Sequence, residues 1–334
     1  MHNNFVKEGY FMTQEQLAKV AHVSVSTISK AFNNSPEISY QTREYIFKIA
    51  KEHGCFDKYY KDQYKRPLIG VIAPELISHY YSEYVSILES MLSPHNATVL
   101  IGTTGHASHK AEELLTYFTS FAKVNAIILI DTPIDSNYKC SVPLFSVNPT
   151  NNDTCTYTRL RLNNAIRDAI KHLVENGHTK IGFIGETHAY KKEDLFRKAM
   201  DFYKLPMNEN WIINRQERYE HAGVKGVEQL LAQTELPTAL VCAYDHVAFG
   251  AIHRLHQESI SVPEDISIIG MDNIEQFSYL SIPLTSIDLH KQEICKTVVD
   301  NLVHKLKNPF HNCTSSDIYA SLIVRGTVKN INTK

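Results

Sequence analysis

The segment from Thr13 to Arg43 restricts the fold most, because it reads as three short helices joined by tight turns. The apolar residues of the first helix recur at helical spacing: Leu17, Ala18 and Ala21. A short turn follows, and Ser24 or Ser26 can cap the second helix. Ile28 and Phe32, four residues apart, direct that helix toward an interior. Its outer face keeps small or polar side chains and one cation.

A third helix completes the segment. Ser39 begins it, and Gly54 lies just past its end. Its buried stripe consists of Ile46, Ile49 and Ala50. A helix that offers short side chains and one cation, supported by two others, fits a DNA major groove. The alternative is a small helical domain that only supports another part of the protein, and the pattern favours DNA binding.

The same segment resembles the DNA-binding headpiece of the LacI/GalR (lactose-repressor) family of bacterial transcription regulators. The residues that carry this resemblance are Ala18, Ala21, Val23-Ser24, Thr27-Ile28-Ser29, Asn33, Ser39 and Thr42-Arg43. The match is specific because it joins residues with different roles at fixed offsets. It implies a helix-turn-helix headpiece over residues 12–56 and a linker over residues 57–67.

Charge is distributed unevenly along the 334 residues. Residues 1–66 contain ten Lys/Arg and seven Asp/Glu, a balance of +3, whereas the remainder has 24 against 29, a balance of −5. A basic head on an acidic body fits phosphate contact at one end. No apolar run approaches the roughly 18 residues needed to cross a bilayer, and no charged start precedes an apolar signal core. We therefore expect a cytoplasmic protein.

The residues that would indicate an enzyme or a metal site are dispersed. The six cysteines show no C-x-x-C spacing, and the 17 histidines show no zinc-site spacing. We expect reduced, mostly buried thiols and no metal or cofactor. The Walker loop, G-x-S-x-G, H-E-x-x-H and a G-x-G-x-x-G after the first strand are absent. The sequence therefore favours a regulator over an enzyme.

Beyond the linker, predicted strands alternate with helices in two series. The first series starts at LIGVIA (68–73), a continuous apolar run typical of a buried parallel strand, and the second includes KIGFIG (180–185). Such alternation implies right-handed crossovers and mostly parallel sheets with helices on both faces. The fold class is therefore α/β, with two lobes and a cleft between them.

This body resembles the periplasmic-binding-protein-like effector domain that the same family attaches to its headpiece. The matching strings are Asn176-Gly177-His178, AYDHVAFGAI, VPEDISIIGMDN and PLTSID. In that fold the chain crosses between lobes three times, so a late helix at 290–307 should return to the first lobe. The resemblance implies an effector-binding and dimerisation domain over 68–330. Lobe 1 would comprise about 68–160 and 290–320, and lobe 2 about 161–289 and 321–330.

The resemblance places Val25, Ser26 and Lys30 where the family reads bases. Lys30 can donate to guanine O6 and N7, Ser26 can donate or accept, and Val25 can contact a thymine methyl. The candidate phosphate contacts are Thr13, Ser24, Thr27, Ser29 and Asn33. Helix capping is the alternative role for the serines and threonines among them.

The linker departs from the family, which usually carries Ala-Arg-x-Leu there and inserts the leucine into the minor groove. That string is absent here, and the stretch between Gly54 and Ile69 is about three residues short. Tyr59, Tyr60 or Tyr64 can supply the apolar bulk that such insertion needs. A plain flexible tether is the alternative.

Strand ends in the cleft supply the candidate effector residues, because open α/β sheets bind small molecules there. Arg197 matches the family's effector-contacting arginine, and Asp272 matches its aspartate. Both suit a polyhydroxylated ligand, with a salt bridge between lobes or a solvated charge as the alternative. The other candidates are Tyr80, Tyr81, Asn148, Tyr219, Tyr244 and Asp245. Core packing is the alternative for the tyrosine pair.

Together these features predict a ligand-responsive, sequence-specific DNA-binding regulator, and they favour a repressor of a carbohydrate-utilisation operon. The expected partners are a pseudo-palindromic operator in double-stranded DNA, a sugar or sugar derivative, and a second copy of the chain, with no membrane. The alternative is a regulator whose co-effector is a phosphocarrier protein or a non-sugar metabolite such as a nucleobase.

Overall fold

The computed structural model describes residues 12–33, 35–56, 59 and 66–332. The chain divides into two compact units, Met1–Pro67 and Leu68–Lys334. Most of the predicted linker, including Tyr60 and Tyr64, lies outside the described residues.

Three capped helices form the described part of the first unit. They are α1 (Gln14–Val20), α2 (Val25–Phe32) and α3 (Tyr40–Glu52). Thr13, Ser24 and Ser39 precede them, and each hydroxyl accepts a hydrogen bond from the backbone N–H three residues later. This is the usual N-cap bond, which satisfies an otherwise unpaired amide at the helix start. The predicted headpiece helices are therefore confirmed.

Tyr59 lies in the apolar core of this unit, with 9% of its surface exposed. Its ring is 5.5 Å from that of Phe32, which also contacts Phe47 at 5.1 Å. The Tyr59 hydroxyl donates to the backbone oxygen of Met12 at 2.5 Å. The prediction of Tyr59 as a minor-groove wedge is therefore wrong, because its ring already packs inside the headpiece.

The second unit contains two six-stranded sheets. The strands are β1 (Leu68–Ala73), β2 (Thr98–Thr103), β3 (Ala126–Ile130), β4 (Leu144–Val147), β5 (Thr156–Arg161), β6 (Ile181–Glu186), β7 (Ile212–Arg215), β8 (Ala239–Cys242), β9 (Ser267–Met271), β10 (Thr285–Asp288), β11 (Ser316–Tyr319) and β12 (Ser321–Ile323). The helices are α4 (His79–Leu92), α5 (Ser108–Thr116), α6 (Asn163–Glu175), α7 (Tyr190–Phe202), α8 (Tyr219–Leu231), α9 (Asp245–Gln257) and α10 (Lys291–Lys307).

The first sheet has the strand order β11-β5-β4-β3-β1-β2, with every pair parallel. The second has the order β12-β10-β9-β8-β6-β7, and only β12 runs antiparallel to its neighbour. Apolar clusters cover both faces of each sheet. The predicted α/β class with two lobes is confirmed.

The chain passes between the two sheets three times. It leaves the first sheet after β5, returns after β10, and leaves again between β11 and β12. After the return, α10 packs on the first sheet, where Ile294, Val298 and Leu302 join the same core as Tyr84. The three connections lie side by side, because Arg161 pairs with Tyr319 at the end of the first sheet and Asp288 pairs with Ser321 at the start of the second.

Helices α8 and α9 approach so closely that each has a glycine at the contact. A Cβ atom added to Gly223 would lie 2.1 Å from the backbone oxygen of Val247, and one added to Gly250 would lie 2.0 Å from that of Glu220. No side chain fits at these distances. This contact fixes the N-terminal turns of both helices, which carry Tyr219 to the cleft and Asp245 to the support of the second sheet.

We predict that Gly250→Ala lowers the free energy of unfolding by at least about 2 kcal/mol, because the added methyl group must separate two backbones. The better helix propensity of alanine, worth about 1 kcal/mol, is too small to compensate. Urea unfolding followed by fluorescence of the single tryptophan, Trp211, measures the change. His253→Ala, on the exposed side of the same helix, is the control. Equal stability of both variants would contradict the prediction.

Candidate functional site

The outer face of α2 carries the three predicted base-reading residues. Val25 is 41% exposed, Ser26 is exposed, and the Lys30 side chain is 42% exposed. Ile28 and Phe32 are buried in the headpiece core. Val25 in the first turn, Ser26 beside it and Lys30 near the end of the helix are therefore each accessible to a partner.

The predicted phosphate-contacting residues take part in local hydrogen bonds. Thr13 and Ser24 accept the capping amides at 3.2 and 2.9 Å, and Ser24 also shares a hydrogen bond with the Thr27 hydroxyl at 2.8 Å. The side-chain amide of Asn33 donates to Ser29 at 3.1 Å. Capping is therefore a real role of Thr13 and Ser24. A hydroxyl that accepts an amide still keeps its own O–H donor for a phosphate.

The Lys30 ammonium also donates to the carboxylate of Glu37, in the turn between α2 and α3. The sequence interpretation did not include Glu37. The two residues are seven apart, but α2 ends at Phe32, so no continuous helix brings them together and the helical pattern does not indicate the pair.

Three polar residues follow strands that end at the cleft. Asp131 comes directly after β3, Asn148 after β4, and Asp272 after β9. All three have positive φ angles, of 44°, 67° and 117°. Backbone conformations of this kind are costly for residues other than glycine and tend to cluster at functional sites. Asp131 was not among the predicted residues, although it follows AIILI as Asp272 follows SIIGM.

On the first sheet, Asn148 holds Asp131 in place. Its side-chain amide donates to Asp131 Oδ1 at 2.8 Å, and its own oxygen accepts from the backbone N–H of Leu160 at 2.8 Å. Burial raises the pKa of Asp131, although Asn148 and Tyr80 partly offset this. The Tyr80 ring makes an edge contact with Tyr81 at 5.0 Å. Asp131, Asn148 and Tyr80 therefore form one polar group with an aromatic wall.

On the second sheet, Lys192 is the cation that faces Asp272. The Lys192 Nζ donates to the backbone oxygen of Ala243 at 2.7 Å and lies 3.9 Å from the centre of the Tyr244 ring. It is 3.7 Å from Asp272 Oδ1, which is buried and accepts no hydrogen bond from the described residues. Burial lowers the pKa of Lys192, and the charges of Asp272 and Asp245 oppose this.

The structure corrects the predicted role of Arg197. Its guanidinium makes a paired contact with Glu209 at 2.7 and 2.8 Å and also contacts Glu193 at 2.6 Å. Helix α7 begins at Tyr190, so Lys192 lies in its first turn, whereas Arg197 is five residues further on. Five residues correspond to about 140° of net rotation, which turns Arg197 away from Asp272.

Asp245 also has a different role from the predicted one. It is 1% exposed, and both carboxylate oxygens are already used, by the Ser286 hydroxyl at 2.6 Å and by the Ile274 N–H at 2.7 Å. Burial raises the pKa of Asp245 to about 7, with the charge of Asp272 adding to this and the two donors opposing it. Asp245 therefore supports the second sheet and does not present a free oxygen to a ligand.

An ion pair joins the two sheets across the cleft. Arg218 donates to both oxygens of Glu75 at 2.8 Å, and the Tyr219 hydroxyl donates to Glu75 at 2.7 Å. The buried Glu186 accepts from the Tyr219 N–H at 3.1 Å and contacts Arg218 at 3.4 Å. Burial would raise the pKa of Glu75, but the bonds from Arg218 and Tyr219 outweigh it and lower that pKa.

A second contact across the cleft lies beside this ion pair. The rings of His106 and His188 stack with their centres 4.6 Å apart and an interplanar angle of 7°. His106 Nε2 is also 3.6 Å from Glu75. Glu75, His106, His188 and Arg218 were not predicted, because each pair joins distant parts of the chain.

None of the helices in the described part of the chain combines the length and apolarity that crossing a membrane requires. The same residues contain no group of three or more His, Cys, Asp or Glu side chains placed to hold a metal ion.

Comparison with known proteins agrees with this arrangement. Residues 15–55 match the family described as bacterial regulatory proteins, lacI family, and residues 170–328 match the periplasmic binding protein-like domain. The chain is 27% identical over 333 residues to the ribose operon repressor of Haemophilus influenzae, covering 96% of this chain and 99% of that protein. It is also 27% identical over 338 residues to the transcriptional repressor PurR of Vibrio parahaemolyticus, with the same coverage.

A solved structure of the lac repressor dimer, bound to operator and the anti-inducer ONPF, has the same fold. Its TM-score is 0.71 at 20% identity, with 95% of this chain and 99% of that chain covered. A helix-turn-helix headpiece followed by a two-lobed α/β domain defines a class of DNA-binding transcription regulators. The chain therefore combines a lacI-family DNA-binding domain with a periplasmic-binding-protein-like domain.

We predict that Arg218→Gln loosens the closure of the two sheets, because a paired, partly buried arginine–carboxylate contact is lost. Hydrogen–deuterium exchange should become faster in the first turn of α8 and around His106. Arg215→Gln is the matched control, since Arg215 pairs with Glu217 within the second lobe. Unchanged protection in Arg218→Gln would show that the ion pair does not hold the cleft closed.

Proposed function

We propose that the protein is a dimeric repressor, acting in the cytoplasm and without enzymatic activity. It binds a pseudo-palindromic operator through α2 of each headpiece. Its DNA affinity responds to a polyhydroxylated small molecule, a sugar or sugar derivative, held between the two sheets of the second unit. The regulated genes would then serve carbohydrate utilisation, in line with the similarity to a ribose operon repressor.

The observation that carries the effector proposal is the set of charges at the strand ends. Asp131 from one sheet and Asp272 from the other enter the cleft, and Lys192 is the cation beside Asp272. Carboxylates accept hydrogen bonds from hydroxyl groups, and an ammonium donates to hydroxyl oxygens. The unsatisfied Oδ1 of Asp272 needs a donor, which a hydroxyl supplies.

Aromatic rings stand beside the charged strand ends. The Lys192 ammonium lies 3.9 Å from the centre of the Tyr244 ring and occupies one of its two faces. Tyr80 has edge contacts with both Tyr81 and Tyr84 at 5.0 Å. These rings are suited to line the C–H surface of a small ligand.

An exposed apolar region on the second lobe supports the dimer. Phe249, on α9, is 37% exposed and stacks on Phe277 at 5.2 Å. Tyr279 and Ile282, in the segment that follows, are 77% and 39% exposed. Contiguous apolar side chains on a surface commonly mark a protein–protein contact. A homodimer also matches the two-fold symmetry of a pseudo-palindromic operator.

We predict that a neutral sugar found by thermal-shift screening binds the wild-type protein, and that Asp272→Asn weakens it by about 2 kcal/mol, roughly thirtyfold in Kd. The substitution removes a charged acceptor, while asparagine tolerates the positive φ. Calorimetric titration measures the loss, and operator binding without ligand should be unchanged. The screen should include sugar phosphates and nucleobases.

Arg197→Gln is the control for this experiment, because Arg197 contacts Glu193 and Glu209 outside the cleft. It should keep the effector affinity and the change in operator affinity, a coupling on the order of 1–3 kcal/mol. Unaltered effector affinity in Asp272→Asn would mean that the effector binds elsewhere. If only Arg197→Gln lost effector affinity, Arg197 and not Asp272 would be the residue that contacts the effector.

We predict that Lys30→Ala lowers affinity for the selected operator by about 1–3 kcal/mol and relaxes the preference at one position of each half-site. Asn33→Ala should weaken all DNA sequences about equally. Gel-shift titration on operator variants separates the two behaviours, and sedimentation measures the oligomeric state. A monomer at micromolar concentration that binds single half-sites as well as full sites would contradict the dimer.

A further inference from the structure

The ion pair between Lys30 and Glu37 lies on the surface proposed to contact DNA, and the backbone holds it in place. The N–H of Ser35 donates to the backbone oxygen of Lys30 at 3.0 Å, so the turn after α2 folds back over the helix end. Arg43, from α3, donates to the backbone oxygen of Ser35 at 2.8 Å. The position of Glu37 beside Lys30 is therefore fixed by the fold of the turn.

Stability does not account for this pair. The Lys30 and Glu37 side chains are 42% and 65% exposed. Exposed ion pairs contribute little to folding, because water and salt screen them. An acidic side chain on a surface that approaches phosphates also opposes binding by charge repulsion. The presence of Glu37 there calls for a role in DNA recognition.

The chemistry of the ammonium group suggests that role. A lysine ammonium has three N–H donors and behaves as a point charge, so a lone lysine binds any phosphate it reaches. Glu37 occupies one donor of Lys30 and places a negative charge beside the ammonium. A phosphate then gains little from Lys30 and is repelled by Glu37. Guanine O6 and N7 are neutral acceptors that the two remaining donors can reach together.

We propose that Glu37 is a positioning residue that reserves Lys30 for a base edge and keeps it from the phosphates. Glu37 acts through Lys30 and raises sequence discrimination at the cost of non-specific affinity. The proposal rests on the proposed DNA-binding function of α2.

The experiment compares the full-length wild type with Glu37→Gln, Lys30→Ala and the double variant. Each is used to select binding sites from randomised duplex DNA, and each is titrated with non-specific duplex over a range of salt concentrations. Glu52→Gln, at the end of α3, removes the same charge from the same unit and is the matched control. Thermal unfolding confirms that every variant is folded.

Glu37→Gln should raise non-specific affinity about threefold to tenfold and steepen its dependence on log salt concentration by about 0.9 for each headpiece on the DNA, about 1.8 for the dimer, because each Lys30 gains a phosphate. It should also lose preference at the half-site position that Lys30→Ala affects. In the Lys30→Ala background, Glu37→Gln should raise non-specific affinity by a smaller factor, because only the direct repulsion of phosphates by Glu37 is then removed. Glu52→Gln should leave the site preference unchanged.

Two results would overturn the proposal while leaving the DNA-binding function intact. The first is an equal rise of non-specific affinity with and without Lys30, which would mean that Glu37 only repels phosphates directly. The second is a selected site and a salt dependence that Glu37→Gln does not change. A wild-type protein that enriches no sequence at all would overturn both this proposal and the proposed function.

Discussion

The common direction of the parallel strands is the constraint on which the cleft depends. Parallel strands deliver the residues that follow them to the same edge of a sheet, so each strand end adds a side chain to one region. Asp131 and Asn148 reach the cleft in this way from the first sheet, and Asp272 reaches it from the second. Their positive φ angles turn the chain away from the strand direction at that point. The ligand-binding chemistry thus lies where the regular backbone ends.

The residues that support the cleft are distinct from the residues that are available to a ligand. Asp245 is fully hydrogen-bonded by Ser286 and Ile274, so it ties α9 to β10 and to the turn after β9. The close contact of α8 and α9 at their glycines holds the helix starts beside it. Asp272, by contrast, keeps a buried oxygen without a donor among the described residues. A polar network in which every group is hydrogen-bonded stiffens a structure, whereas a buried oxygen without a donor can accept a hydrogen bond from a ligand.

Sequence patterns predicted the strands and the headpiece helices because apolar runs and cap residues are local properties. The first turns of α7 and α8, which begin at Tyr190 and Tyr219, are polar and face the cleft, so no apolar stripe marks them. Lys192 in the first turn of α7 was therefore missed, whereas Arg197 was predicted from its match to the family's effector-contacting arginine. The contact of Glu75 with Arg218 joins residues 143 apart, and no periodicity indicates such a pair.

The ion pair across the cleft also limits what an effector can do. Glu75, Arg218 and Tyr219 join the two sheets through the protein's own hydrogen bonds. A ligand changes the balance of open and closed states only by its difference in affinity for them. An effector that binds the closed cleft therefore adds to the preference for closure that the ion pair creates. Its largest effect is to remove the remaining population of open molecules. An effector that competes for Glu75 or Arg218 acts in the opposite sense and opens the cleft. The side of the cleft that a ligand occupies, near Asp272 or near Glu75, thus decides the direction of the response.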